Sequence, residues 1–222
     1  MKKYKLTKET KNFCGITLYR IMAASDFSGV KAGELGGFIE KESNLSQDGS
    51  SWVYGDARVY GDALVCGDAL VCGDALVYGD AWVYGDARVY GDARVYGDAW
   101  VCGDAWVYGD AWVYGDARVC GNARVYGDAR VCGDARVYGD AWVSRNDQIF
   151  WISNIGSRSG TTTFFLCEDK KIRAKCGCFY GDLDEFSSRV QTTHGGNRHG
   201  QTYRLAIEMA RTHIVIPDGE LE

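Results

Sequence analysis

Three histidines, nine cysteines and a long file of aspartates are the residues of this 222-residue chain best equipped for chemistry. His194, His199 and His213 all lie toward the C-terminal end, close behind Cys167, Cys176 and Cys178. With His194 or His199 those thiols have the donor atoms of a zinc site. Their C-x8-C-x-C spacing is not that of a zinc knuckle, so a small cluster of core cysteines is the simpler reading. The stretch His194-Gly195-Gly196-Asn197-Arg198-His199 suits an anion held near the start of a following helix. A polar interhelical loop would use the same residues. The glycine run from Lys31 to Phe38 is followed by no Gly-Lys-Ser/Thr and lacks the Gly-x-Gly-x-x-Gly order, so it is no nucleotide loop. No nucleophile-base pair stands out.

The aspartates lead to the elements that hold them. Fourteen of them, with Asn122, fill fifteen positions six residues apart, from Asp56 to Asp140. Valine keeps the same period from Val53 to Val143, through sixteen units of the form Ala-x-Val-Tyr/Cys-Gly-Asp. Alanine and valine two apart share one side of a strand, and the residues around them face the other. Gly-Asp breaks the strand, because glycine accepts positive φ and aspartate bonds nearby backbone N–H groups. A strand and a corner every six residues leave no room for a crossover helix, so the strands must coil as a solenoid, valine over valine. The composition agrees: 29 glycines against one proline and a net charge of −5 exclude collagen and proline-rich disorder. The acidic balance argues against a general nucleic-acid binder. No apolar run approaches the ~18 residues of a membrane span, and Met1-Lys2-Lys3-Tyr4-Lys5 opens no signal segment.

Residues 51–144 resemble the hexapeptide-repeat left-handed β-helix superfamily, in which three hexapeptides make one triangular coil. Many members place glycine directly after the aliphatic residue, whereas here Tyr or Cys intervenes. The resemblance implies a left-handed parallel β-helix of about five coils, roughly 25 Å long at ~4.8 Å per layer. The fold expected is an all-β solenoid with a β-rich N-terminal cap (1–50) and a small α+β C-terminal module (145–222). The stretch from Asp26 to Gln47 is similar to the cap of bacterial and phage-borne hexapeptide-repeat proteins labelled as transferases. The stretch from Gly177 to Gly195 is similar to a module of phage and prophage proteins.

An 18-residue coil stacks residues in columns. Tyr60, Tyr78, Tyr96 and Tyr114 form one, ending in Cys132; Trp82 lies over Trp100, with Trp106 and Trp112 on the other two faces. Cys102 and Cys120 fall in adjacent coils, close enough for a disulfide under oxidation; a reducing cytosol would keep them as thiols. In the N-terminal segment Phe13 to Ala24 reads as one or two strands. In the C-terminal module three strands are expected (148–153, 161–167, 172–176), then a helix capped by Asp182 and a second over residues 201–212.

The reading that results is a non-catalytic protein-binding or scaffold protein. Its candidate surface is Trp82, Trp100, Trp106, Trp112, Arg88, Arg94, Arg124, Arg130, Tyr78, Tyr96 and Tyr114, since Tyr, Trp and Arg are enriched at interfaces. The loop of His194, Asn197, Arg198 and His199 is a second candidate, and the C-terminal module the more specific contact, because the repeats are too uniform to encode one address. No catalytic residue, metal or cofactor is expected. A protein partner is, along with a homo-oligomer (dimer or trimer) and a cytoplasmic location, in the host if phage-encoded. Membrane and direct nucleic-acid contacts are not. Two alternatives stay open. One is a phage-encoded inhibitor whose corner carboxylates, about one per 1.8 Å, match the charge spacing of duplex DNA. The other is an acyltransferase-like enzyme; the resemblance implies a histidine in or beside the coils for that chemistry, and residues 51–144 contain none.

Overall fold

The computed structural model describes residues 2–217. Strands β1 (Tyr4–Phe13) and β2 (Ile16–Ala23) form an antiparallel hairpin, and β3 (Leu35–Ile39) pairs with β2. Sixteen strands of two or three residues follow, β4 (Trp52–Val53) through β19 (Trp142–Val143), one per hexapeptide. Each pairs in parallel with the strand eighteen residues away, as in Arg94↔Trp112 and Val95↔Val113. The result is a parallel β-solenoid with three faces, each a sheet one strand wide per coil. Backbone bonds tie coil to coil, with the Trp100 N–H on the Ala117 carbonyl at 2.9 Å and the Cys102 N–H on the Val119 carbonyl at 2.9 Å.

The inside is valine and alanine, as the alternation requires: Val95 and Ala93 are fully buried, and so are their counterparts in nearly every unit. A buried valine contributes on the order of 1.5–3 kcal/mol before conformational entropy is set against it. Each corner turns at a glycine of positive φ, +71° at Gly97. These glycines have a second task that the repeat alone does not display. The Cβ of an alanine at 97 would meet the backbone N of Gly115 at 3.0 Å, because corner stacks on corner.

The solenoid has about six turns rather than five. The extra turn comes from the cap, where Phe38–Ile39 of β3 pairs in parallel with Arg58–Val59 and Leu45 bridges Val65. Gly49 already sits under Gly67 in the corner stack. The cap also has a long first strand that the sequence reading did not place. The outer-facing Trp52 of β4 is fully buried beneath the cap, with Tyr4 and Phe27 set edge-on to its ring.

The far end is closed by a four-stranded antiparallel sheet, one strand more than expected: β20 (Ile149–Ile155), β21 (Gly160–Leu166), β22 (Ile172–Cys176) and β23 (Phe179–Asp182). Strand β21 shows why the module has two cores. Phe165 packs into the solenoid core, whereas Phe164 and Leu166 face a second core with Phe186, Tyr203 and Ile207. Helix α1 (Leu183–His194) starts where the sequence places it, with the Asp182 carboxylate accepting from the N–H groups of Asp184 and Glu185. Helix α2 (Arg198–His213) starts three residues earlier than read, because Asn197 caps it through Gly200 N–H. Among the described residues no helix is long and apolar enough to cross a membrane.

Candidate functional site

The 18-residue register distributes the candidate residues over three faces instead of gathering them on one. Trp82 and Trp100 stack on one face (5.9 Å, 16°), with the guanidinium of Arg118 4.3 Å from the Trp100 ring. On the second face Trp112 lies between Arg94 (4.8 Å) and Arg130 (5.0 Å), beside the column of Tyr78, Tyr96 and Tyr114. On the third, Trp106 lies between Arg88 (5.1 Å) and Arg124 (5.3 Å), and Arg124 also covers Trp142 at 4.4 Å. Trp142 continues this column from Arg124 by one period, a place the repeat itself specifies.

These guanidiniums use ring faces, not corner carboxylates, for support. Among the described residues the solenoid's arginines make one ion pair with its corner aspartates, Arg58 to Asp74 at 3.7 Å. The consequence shows on the third face, where a trough of about 510 Å³ runs between two parallel columns. One wall is Arg88, Trp106, Arg124 and Trp142; the other is the corner column of Asp86, Asp104, Asn122 and Asp140. Glu168 of the C-terminal module joins the acidic wall. Asp140 is held by that module through the Arg173 guanidinium at 3.2 Å and the Tyr180 hydroxyl. The Arg173 and Asp169 side chains form a second pair at 2.8 Å, which holds the Asp169 carboxyl below the usual carboxylate range. Such a trough offers planar donors along one wall and carboxylate acceptors along the other, so it fits a polar surface presenting both signs of charge.

Three of the column tyrosines are neutral over the whole physiological range. Burial pushes Tyr60 and Tyr108 up to about 12, and a hydrogen bond with the Cys132 thiol does the same for Tyr114. Cys102 and Cys120, expected as thiols, are joined as a disulfide across adjacent coils, with Cα atoms 4.6 Å apart, the spacing the sheet imposes.

The other cysteines form no cluster. Cys167 is buried in the solenoid core, which raises its thiol to about 12, Cys176 lies 3.6 Å from the Tyr203 hydroxyl in the second core, and Cys178 is exposed. Their alternation along the sheet separates them, which corrects the core-cluster expectation. In the interhelical loop the Asn197 carboxamide oxygen is engaged as the α2 cap at 3.0 Å. The His194 ring stacks on Tyr203 (5.7 Å) and meets His199 edge-on (5.8 Å), while Arg198 is exposed. Sequence reasoning named residues of both walls but did not set the aspartate file beside the Arg/Trp column as one trough, and Glu168 reaches it only through the module's docking.

The repeats match a family model described as the YdcK β-solenoid repeat, over residues 53–67, 69–85, 87–103, 117–131 and 129–145. A stretch of 62 residues is 39% identical to the Escherichia coli (strain K12) protein named "Uncharacterized acetyltransferase YdcK". That alignment covers 24% of this chain and 19% of the relative, so the chain spans about a fifth of the relative's length.

Proposed function

Because its repeat region is a hexapeptide-repeat β-helix, a rigid bar with flat faces, we propose that the chain is a non-catalytic binding scaffold that presents the third-face trough to a protein partner. The observation that carries this reading is the trough's composition. Arg88 and Arg124 lie on indole rings and face carboxylates without ion-pairing to them. Arginine and tryptophan held this way lose little freedom on binding and are the residues that dominate interface energetics. Glu168 and the Arg173–Asp140 pair let the C-terminal module set one end of the trough, which supplies the single address that uniform repeats lack. A cytoplasmic setting, within a host cell if the gene is phage-borne, belongs to the same reading, and in that reducing compartment the Cys102–Cys120 bridge would open to two thiols.

The test is paired capture from host lysate by the wild-type chain and by the double variant Arg88→Ser/Arg124→Ser, with Trp82→Ser on another face as control. A partner kept by wild type and control but lost by the double variant supports the scaffold. The same partners and the same solution mass for all three sink it. A second reading, an acyl-transferring enzyme, rests on the name of the Escherichia coli relative alone. Calorimetric titration with acetyl-coenzyme A decides it, since an absence of heat removes it.

A further inference from the structure

The phenol column of the second face ends one rung short. Tyr60, Tyr78, Tyr96 and Tyr114 stack at 4.9, 4.8 and 5.0 Å, within 1–3° of parallel. The register that pairs Val113 with Val131 places Cys132 on the next rung. A thiol fills only part of the space of a phenol ring, and the C-terminal module does not close over the remainder. An open cleft of about 450 Å³ is left, lined by Tyr114 and Cys132 on the solenoid side and by Phe150, Trp151 and His213 on the module side. That volume is in the range of small-molecule sites, about 300–1,000 Å³. Among the described residues its charge has one sign: Arg130 lines it and no carboxylate does. Arg130 rests on the Trp112 ring at 5.0 Å, and among the described residues it pairs with no carboxylate.

We propose that this cleft binds a planar aromatic anion, whose ring takes the place of the fifth phenol above Tyr114 and whose negative group lies beside Arg130. Three features converge on that chemistry. The stack sets a ring-to-ring spacing of about 5 Å that any flat π system satisfies. Phe150 and Trp151 supply apolar walls for a ring body. The guanidinium, with no carboxylate partner among the described residues, favours an anion over a neutral ring and disfavours a cation.

The experiment uses the full chain and 2-naphthoate as probe, with 1-naphthylmethylamine as the cationic counterpart, read by ligand-observed NMR or calorimetry. The wild type is expected to bind naphthoate, and Cys132→Ser to bind it within about twofold. Cys132→Tyr, which restores the missing rung, should weaken it by at least about tenfold. No naphthoate binding by the wild type, undiminished binding by Cys132→Tyr, or equal binding of the amine would each overturn the proposal. A second measurement does not depend on that variant folding. Naphthoate should slow alkylation of Cys132 by iodoacetamide while leaving the exposed Cys14 and Cys178 unaffected. Equal slowing at all three, or none at Cys132, also overturns it.

Discussion

Replacing Gly97 by alanine should cost the protein several times what the same replacement costs at Gly55. Both glycines turn corners in the left-handed region, at φ +71° and +62°. An L residue there costs about 1–2 kcal/mol, of which about 0.4–1 is recovered from the stiffer unfolded chain. At Gly55 little more is added, because the new Cβ would sit at an ordinary 3.5 Å from the Gly73 carbonyl oxygen. At Gly97 it would meet the Gly115 N at 3.0 Å and the Gly115 Cα and O at 3.3 Å, all main-chain atoms that cannot swing aside. The Gly97 carbonyl is itself held at 3.0 Å by the Asp80 N–H, so the corner cannot retreat without stretching that bond. Overpacking of this kind adds about 1–3 kcal/mol. The expected totals are about 1 kcal/mol at Gly55 and about 2–4 kcal/mol at Gly97, by the same principles of strain and packing. Urea unfolding followed by far-ultraviolet circular dichroism measures both through the midpoint and slope. Equal losses at the two positions would refute the close-approach argument and leave backbone conformation as the whole reason for glycine.

The tyrosine columns predict an alkaline limit. Tyr60, Tyr108 and Tyr114 are held near 12 in the fold, against 10.0 for a free phenol, so the folded chain binds more protons than the unfolded one between those values. Their contribution is fully present below pH 10 and fades as pH rises toward 12. Absorbance at 295 nm should show phenolate appearing together with loss of the dichroism signal. Complete ionisation near pH 10 with the solenoid intact would contradict this. The Cys102–Cys120 disulfide, bridging residues 18 apart, should contribute about 3 kcal/mol by loop closure. Dithiothreitol or Cys120→Ser should therefore lower the melting temperature by several degrees, and an unchanged melting curve would show the bridge to be energetically idle.

The parts legible in the sequence are those that repeat. One valine every six residues was enough to deduce an inward apolar file, and stacking by eighteen placed Tyr60, Tyr78, Tyr96 and Tyr114, with Trp82, Trp100, Trp106 and Trp112, on their observed columns. Asp182 was readable because a capping side chain acts on backbone only two and three residues away. The cap strand β1 was not, because its lysine-rich sequence has no inward file of its own and is a strand only by pairing with β2. Gly195, Gly196 and Gly200 likewise obscured the start of α2, which depends on the Asn197 cap. The two walls of the trough repeat with the coils, but its Glu168 end and the cleft at Cys132 form where the module meets the last coils, and contacts of that kind have no period from which to infer them.

Near-identity of the coils has a bearing on how the gene can change. Every partnership among the sixteen repeat strands is defined by a separation of eighteen, so gain or loss of one whole coil returns each face to itself. The module at the far end is fastened to particular faces, through Arg173 on Asp140 and through Thr163 accepting the Arg136 N–H at 2.9 Å. An indel of six or twelve residues would carry those fastenings round to a different side of the triangle, whereas eighteen would only lengthen or shorten the shaft. Reach is therefore the property this architecture can vary most freely, and it varies in whole steps.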